Sequence, residues 1–371
     1  MFKVIKKSKH SKARLTLLKT PHGNIRGPFF MPIATYGAVK NLTPEELKEL
    51  GAEIILSNTY HTYFRPGLEI IKKAKGLHNF MNWPGPILTD SGGYQVFSLS
   101  KHLKIDDAGV RFSDPISGQK IYLTPEQAIK IQNDLGSDIW MVLDVCPAYP
   151  AIEDKVAEAV RLTSSWADKS LTAAKKALSK RAPGKQSLVF GIIQGGVYQK
   201  LRERSASEIT ALNFDGYAIG GVAVGEPRKY LKSVLKWVMH VLPENKPRYL
   251  MGLGKPEEIV EATKQGIDMF DCVIPTREAR HGKLYCWNNK SGIMNYAMKN
   301  FYQAINIKNA KFAKDLSPIN NTNLKHFSKA YLHHLFKINE PLGMRLATLN
   351  NLNFYLGLMK KIQISIKTGK I

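Results

Sequence analysis

The chain has 371 residues, 44% of them apolar, enough to bury a large core in one big domain or two. Its 54 Lys and Arg against 30 Asp and Glu give a formal net charge of +24, which makes nucleic acid the leading partner class, although a lysine-biased genome would raise the same count. Three dispersed cysteines, Cys146, Cys272 and Cys286, imply no disulfide framework, no apolar stretch approaches the ~18 residues of a membrane span, and no apolar run follows the N-terminal lysines, so a soluble cytoplasmic protein is expected.

Residues 1–40 read as strands and turns: alternation in Phe2-Lys3-Val4-Ile5 and from Ala13 to Leu18, punctuated by Gly23, Gly27 and Pro28, predicts a small antiparallel sheet. A regular unit begins at Thr43-Pro44-Glu45-Glu46, where Thr caps a helix, Pro takes its first position and Gly51 ends it. The apolar run from Ala52 to Leu56 then closes in Asn58-Thr59-Tyr60-His61. The unit recurs. Pro86 to Thr89 ends in Asp90 and Ser91-Gly92-Gly93, and Thr124-Pro125-Glu126 caps a helix ended by Gly136. Ile139 to Leu143 ends in Asp144, Ser187 to Ile193 in Gln194, Tyr217-Ala218-Ile219 in Gly220-Gly221, and Tyr249-Leu250-Met251 in Gly252, with Lys255-Pro256 opening the next helix.

The run Met269-Phe270 ends in Asp271, followed by Pro275, Arg277 and Arg280 on what reads as a proline-stiffened loop. Nearby guanidinium groups favour the ionised carboxylate, which makes Asp271 a candidate nucleophile and the arginines candidate holders of an anionic substrate. The plainer reading is a surface Asp–Arg ion pair. From Trp287 the pattern loosens into a polar stretch, then a lysine-rich one (Lys308 to Lys314), and the spacing of Leu352, Tyr355, Leu356 and Met359 predicts an amphipathic C-terminal helix.

Continuous apolar runs alternating with capped helices point to parallel βα units. The seven runs near 52, 86, 139, 188, 217, 249 and 268 come close to the eight strands of a (β/α)8 TIM barrel of the α/β class. No glycine-rich turn has the dinucleotide spacing expected of the runner-up, an open doubly wound sheet. In a barrel, Asp90, Asp144, Gln194, Gly220, Met251 and Asp271 stand at carboxyl ends of strands and face one bowl. The division expected is N-terminal strands over 1–40, the barrel over 41–290, and a C-terminal subdomain over 291–371, integrated into one domain.

Eight stretches in order resemble the bacterial tRNA-guanine transglycosylases, also called queuine tRNA-ribosyltransferases. They are Asn58-Thr59-Tyr60-His61 with Arg65-Pro66-Gly67, Thr89 to Val96, Leu123 to Glu126, Phe214 to Tyr217, Gly220 to Glu226, Tyr249 to Gly252, Gly266 to Val273, and Ser328 to His334. The resemblance implies exchange of a wobble guanine of tRNA for a 7-deazaguanine base through a covalent aspartyl-ribose intermediate, in queuosine modification, by a homodimer. By resemblance Asp271 is the nucleophile and Asp90 the general acid and base. Asp144 and Gln194 would bond the base edge, Gly221 and Val222 would offer backbone groups, and Tyr94 and Met251 would pack on the ring faces. Lys255, Arg277 and Arg280 would contact RNA. The plainer readings of the same residues are Asp90 as a turn former, Gln194 as a satisfied amide, Tyr94 and Met251 as plain core, and His61 as a structural hydrogen-bonder.

Two positions depart from the family pattern. The usual zinc site of three cysteines and a histidine aligns with Ile319, Asn321, Leu324 and Asn350, so the zinc is expected to be absent. Val145 stands where a glutamate is usual beside the aspartate, which leaves the accepted base open. The alternative is a catalytically inactive tRNA-binding relative or partner subunit, against which the retention of Asp90, Asp144, Gln194 and Asp271 speaks.

Overall fold

The computed structural model describes residues 1–99, 103–182, 184–288 and 300–371, with the side chains of 97–99 excepted. The chain opens with the expected antiparallel sheet, β1 (Phe2–Lys7), β2 (Arg14–Thr20) and β3 (Gly23–Gly27). The next segment, β4 (Phe29–Met31) and β5 (Ile33–Ala34), belongs elsewhere. It lies within the N-terminal stretch read as that sheet, yet β4 pairs parallel with β15 (Met269–Asp271) and β5 pairs parallel with β6 (Ile55–Ser57). Pro32, which has no N–H to give the ladder, splits one strand into two short halves and hides it from a search for apolar runs.

Between these ends the parallel sheet continues through β7 (Ile87–Thr89), β11 (Ile139–Met141), β12 (Leu188–Ile193), β13 (Gly216–Ile219) and β14 (Arg248–Leu250). Counting β4 and β5 as one, eight parallel strands close into a (β/α)8 barrel. The expected caps are in place. Thr43 forms a reciprocal capping box with Glu46, Thr124 caps Pro125–Leu135, and Gly136 ends that helix at φ 74°. An unforeseen antiparallel sheet, β8 (Lys104–Asp106), β9 (Gly109–Ser113) and β10 (Lys120–Leu123), is inserted after β7; its short strands carry no long apolar run.

Beyond β15 the chain does not form the expected loop. Ile274–Arg280 is a helix with Pro275 in its first turn, where a missing N–H costs nothing. The hairpin β16 (Lys283–Trp287) and β17 (Tyr302–Asn306) straddles residue 290; most of the polar stretch read from Trp287 onward, 289–299, lies outside the described residues. The final helix, Pro341–Thr368, buries Leu352, Tyr355, Leu356 and Met359 as its spacing predicts. It ties the molecule together. Tyr355 donates to Gly254 O (2.6 Å), Asn351 to Pro275 O (3.0 Å) and Lys283 O (2.9 Å), and Gln363 to Arg26 O (3.0 Å) and Pro28 O (2.9 Å). Among the described residues no helix is long and apolar enough to cross a membrane.

Candidate active site

The carboxyl ends of the barrel strands carry the candidate residues. Asp271 is the last residue of β15 and 8% exposed. Its Oδ1 accepts from the Tyr249 hydroxyl (2.6 Å) and from Gly252 N (2.7 Å), while Oδ2 meets no donor among the described residues. Burial pushes its pKa up, opposed by those two hydrogen bonds. The expectation that Arg277 and Arg280 keep it ionised is therefore corrected. On the Ile274–Arg280 helix Arg277 is exposed, Arg280 donates to Thr276 O (3.1 Å), and neither pairs with an acid among the described residues.

Asp90 follows β7. Asn58 Nδ2 donates to its Oδ2 (2.5 Å), and Thr59 N (2.9 Å) and Gly92 N (3.2 Å) donate to its Oδ1. Asn58 is held in turn as the cap of Thr59–Thr62, its Oδ1 accepting from His61 N (3.1 Å). Desolvation raises the Asp90 pKa to about 7; the Thr59 and Gly92 N–H groups act against this, and the charges of Asp271 and Asp144 add to it. Asp144, just past β11, accepts from Gln194 Nε2 (2.7 Å) and more weakly from Ser91 Oγ (3.4 Å), and burial raises its pKa to about 6. Asp90 thus feels the charges of both Asp271 and Asp144, and all three carboxyl groups are displaced upward, which is the arrangement that lets one hold a proton while another is ionised.

Gln194 lies against the Gly220-Gly221 turn so closely that a Cβ on either glycine would stand 2.6 Å from its amide. Gly221 has φ 62°, and Val222 beside it is buried. Met251 is half-buried past β14, whereas Tyr94 is 49% exposed and not the core residue that composition alone would make it. Lys255 is exposed at the start of Pro256–Lys264. Val145 is buried in an apolar cluster with Leu143, Leu162 and Trp166 and donates its N–H to Thr163 Oγ1 (3.0 Å). Among the described residues His61 makes no ring hydrogen bond through Nδ1; its ring packs on Tyr36 at 4.4 Å.

Several supports carry no expectation from sequence: Asn58 and Thr59 under Asp90, Tyr249 and Gly252 under Asp271, Ser91 beside Asp144, and Arg202. Tyr249 was open to detection, since strand alternation puts it on the face of Met251 two residues on. Thr59 and Gly252 act through backbone N–H groups that residue type does not advertise.

Among the described residues, the four positions that align with the family's zinc ligands carry no metal-ligating set. Ile319 and Leu324 are 2% and 3% exposed and pack with Phe312, Leu332, Leu335 and Phe336. Asn350 donates to Tyr285 O (3.1 Å) and accepts from Asn320 Nδ2 (3.0 Å), and Asn320 Oδ1 takes Leu324 N (3.1 Å). Hydrocarbon and amide groups supply neither thiolate nor imidazole, so this donor set does not fit zinc. Of the nearby histidines, His333 is buried on Ile307 O (2.7 Å), while His326 and His334 are exposed. Elsewhere, His22, His78 and Asp138 come together among the described residues. Their imidazoles stack at 3.6 Å with planes 21° apart and reach the two oxygens of one carboxylate at 2.8 and 3.0 Å. Near-parallel ring lone pairs do not converge on a common ion; the group is a hydrogen-bonded clasp between the β2–β3 turn and the foot of β11.

The family model described as queuine tRNA-ribosyltransferase matches residues 8–371. A queuine tRNA-ribosyltransferase of Halalkalibacterium halodurans is 49% identical over 374 aligned residues, covering 100% of this chain and 93% of that protein. Those of Macrococcus caseolyticus (46%, covering 99% and 92%) and Francisella tularensis subsp. novicida (47%, covering 100% and 95%) are similar over the same span.

Proposed function

The chain belongs to the queuine tRNA-ribosyltransferase family, and from that membership we propose how its residues carry out the reaction, the exchange of the wobble guanine of tRNA for a 7-deazaguanine base. Asp271 Oδ2 attacks C1′ of the ribose as the bond to guanine N9 breaks. The electron pair leaves with the base, and Asp90 supplies the proton. The incoming base then attacks C1′ through its own ring nitrogen and gives its proton to Asp90, while the ester bond breaks and returns its electron pair to Asp271. Two displacements preserve the configuration at C1′.

The observation that carries this reading is the asymmetry of Asp271: Oδ1 is fixed by Tyr249 and Gly252, and Oδ2 is left for the sugar. Asp144 and Gln194 read the base edge, Gly221 and Val222 offer backbone groups, and Tyr94 and Met251 flank the ring. Lys255, Arg277 and Arg280 hold phosphates of the tRNA. The protein works in the cytoplasm as a homodimer and folds without zinc. An inactive tRNA holder would have no use for two carboxylates kept in place by five hydrogen bonds.

Asp271→Asn tests the assignment. Exchange of labelled guanine into tRNA is abolished and the trapped protein–RNA adduct disappears, while tRNA affinity stays at the parent level. Exchange near the parent rate in the variant would remove Asp271 from the nucleophile role.

A further inference from the structure

Arg202, on the helix Gln199–Ala211, is 0% exposed and has no acidic partner within ion-pair distance among the described residues. A buried guanidinium without a carboxylate is rare, because its charge must be met by other oxygens. Here four carbonyls meet it. Nε donates to Gly196 O (2.8 Å), Nη1 to Gly220 O (2.7 Å) and Ile193 O (3.2 Å), and Nη2 to Gly221 O (2.8 Å). These oxygens belong to the ends of β12 and β13, the two turns that carry Gln194 and Gly221. Ser205, one helical turn on, takes Gln194 N (3.1 Å). The approach is close enough that a Cβ at Gly195 would stand 2.7 Å from Arg202 N.

A trans peptide points its N–H opposite to its C=O. Drawing the Gly220 and Gly221 carbonyls toward Arg202 therefore turns the N–H groups of Gly221 and Val222 the other way. Neither N–H meets an acceptor among the described residues. The guanidinium thus selects which face of this turn the site receives: two donors, and no carbonyl from those two peptides.

We propose that Arg202 is the positioning residue of the base subsite, setting the Gly220–Val222 turn so that backbone N–H groups meet an acceptor oxygen of the purine, such as the carbonyl of guanine. The proposal rests on the function above. The turn without Arg202 is free to rotate its peptides, and a carbonyl aimed at the base oxygen repels it. Gln194 loses its fixed backing at the same time.

The test uses Arg202→Lys, which keeps the charge but cannot reach four carbonyls, and Arg202→Gln, which keeps two donors. Guanine binding is measured by equilibrium dialysis, tRNA binding by filter retention, and melting temperature alongside. The expected result is a folded Lys variant whose Kd and KM for guanine rise about tenfold, the equivalent of one oriented hydrogen bond, with tRNA affinity within about twofold of the parent. Unchanged guanine affinity in a folded variant overturns the proposal. So does loss of folding in both variants, which would make Arg202 a scaffold residue, or an equal loss for guanine and tRNA. A parent protein that binds guanine but does not incorporate it into tRNA would refute the functional reading and leave the Arg202 comparison standing.

Discussion

Asp90 holds its proton to about pH 7 because it is enclosed by protein beside two other carboxyl groups, and this displacement has a cost in stability. In the unfolded chain the group ionises at its ordinary value of 3.8, so between about pH 4 and about pH 7 the folded state binds the extra proton. Stability from this group is full below 3.8 and is lost as pH rises through about 7. Asp144, raised to about 6, acts in the same direction. The expected outcome is that melting temperature falls between about pH 4 and about pH 7 and that Asp90→Asn makes the fall shallower. Scans of both proteins across that range check it; parallel curves would mean that Asp90 is ionised throughout. At this scale the sequence exposed the identities of the carboxylates and concealed their environment. Asp271 was read beside arginines because they follow it within ten residues, whereas the helix from Ile274 carries them off and burial sets its charge state instead.

Short barrel strands set the limit on what could be read at the level of elements. Runs such as Ile139 to Leu143 announce themselves, because a strand covered on both faces is apolar throughout. Phe29–Ala34 is buried apart from half-buried Ile33, but Pro32 divides it, and the neighbouring hairpin lends it a false context. The C-terminal region shows the opposite case, where the residues at the aligned positions were legible and the contacts they make were not. Ile319 and Leu324 could be foreseen to turn inward; the relay from Asn320 through Asn350 to Tyr285 O could not, since amides carry no spacing rule. Packing and amides together are expected to hold this region, so a strong chelator leaves the melting temperature unmoved and purified protein carries far less than one zinc per chain. Asn350→Ala, which strands Tyr285 O and Asn320, costs about 1–3 kcal/mol, and Ile319→Ala about 2–4 kcal/mol. Chemical denaturation of the variants and metal analysis of the parent check these; near-stoichiometric zinc together with a chelator-induced drop would point to a metal site after all.

Across the whole molecule, the order of βα units was legible because each repeats a cap, an apolar run and a polar end, and the repeats need only close on themselves to make the bowl. What closes them is less visible: one strand split by proline, and one 28-residue helix reaching from the hairpin at Tyr285 to the N-terminal sheet at Arg26. Net charge was read from composition alone, and the fold gives part of it a location. Lys255, the cap of the helix after β14, and Arg277, on the helix after β15, are exposed at the same end of the barrel as Asp271, and neither makes an ion pair with an acid among the described residues. If cations there and over the C-terminal region meet phosphates, binding releases counterions from the RNA and the affinity falls linearly on a log–log salt plot. Six to ten such contacts would weaken tRNA binding about a thousandfold or more between ~50 mM and ~200 mM salt. Arg277→Ala and Lys255→Ala should each reduce the slope by about one while leaving guanine affinity at the parent value. A salt series on the parent and the two variants decides the matter: a flat response in the parent would assign the charge of +24 to genome bias, and unchanged slopes in the variants would move the RNA track away from the helices after β14 and β15.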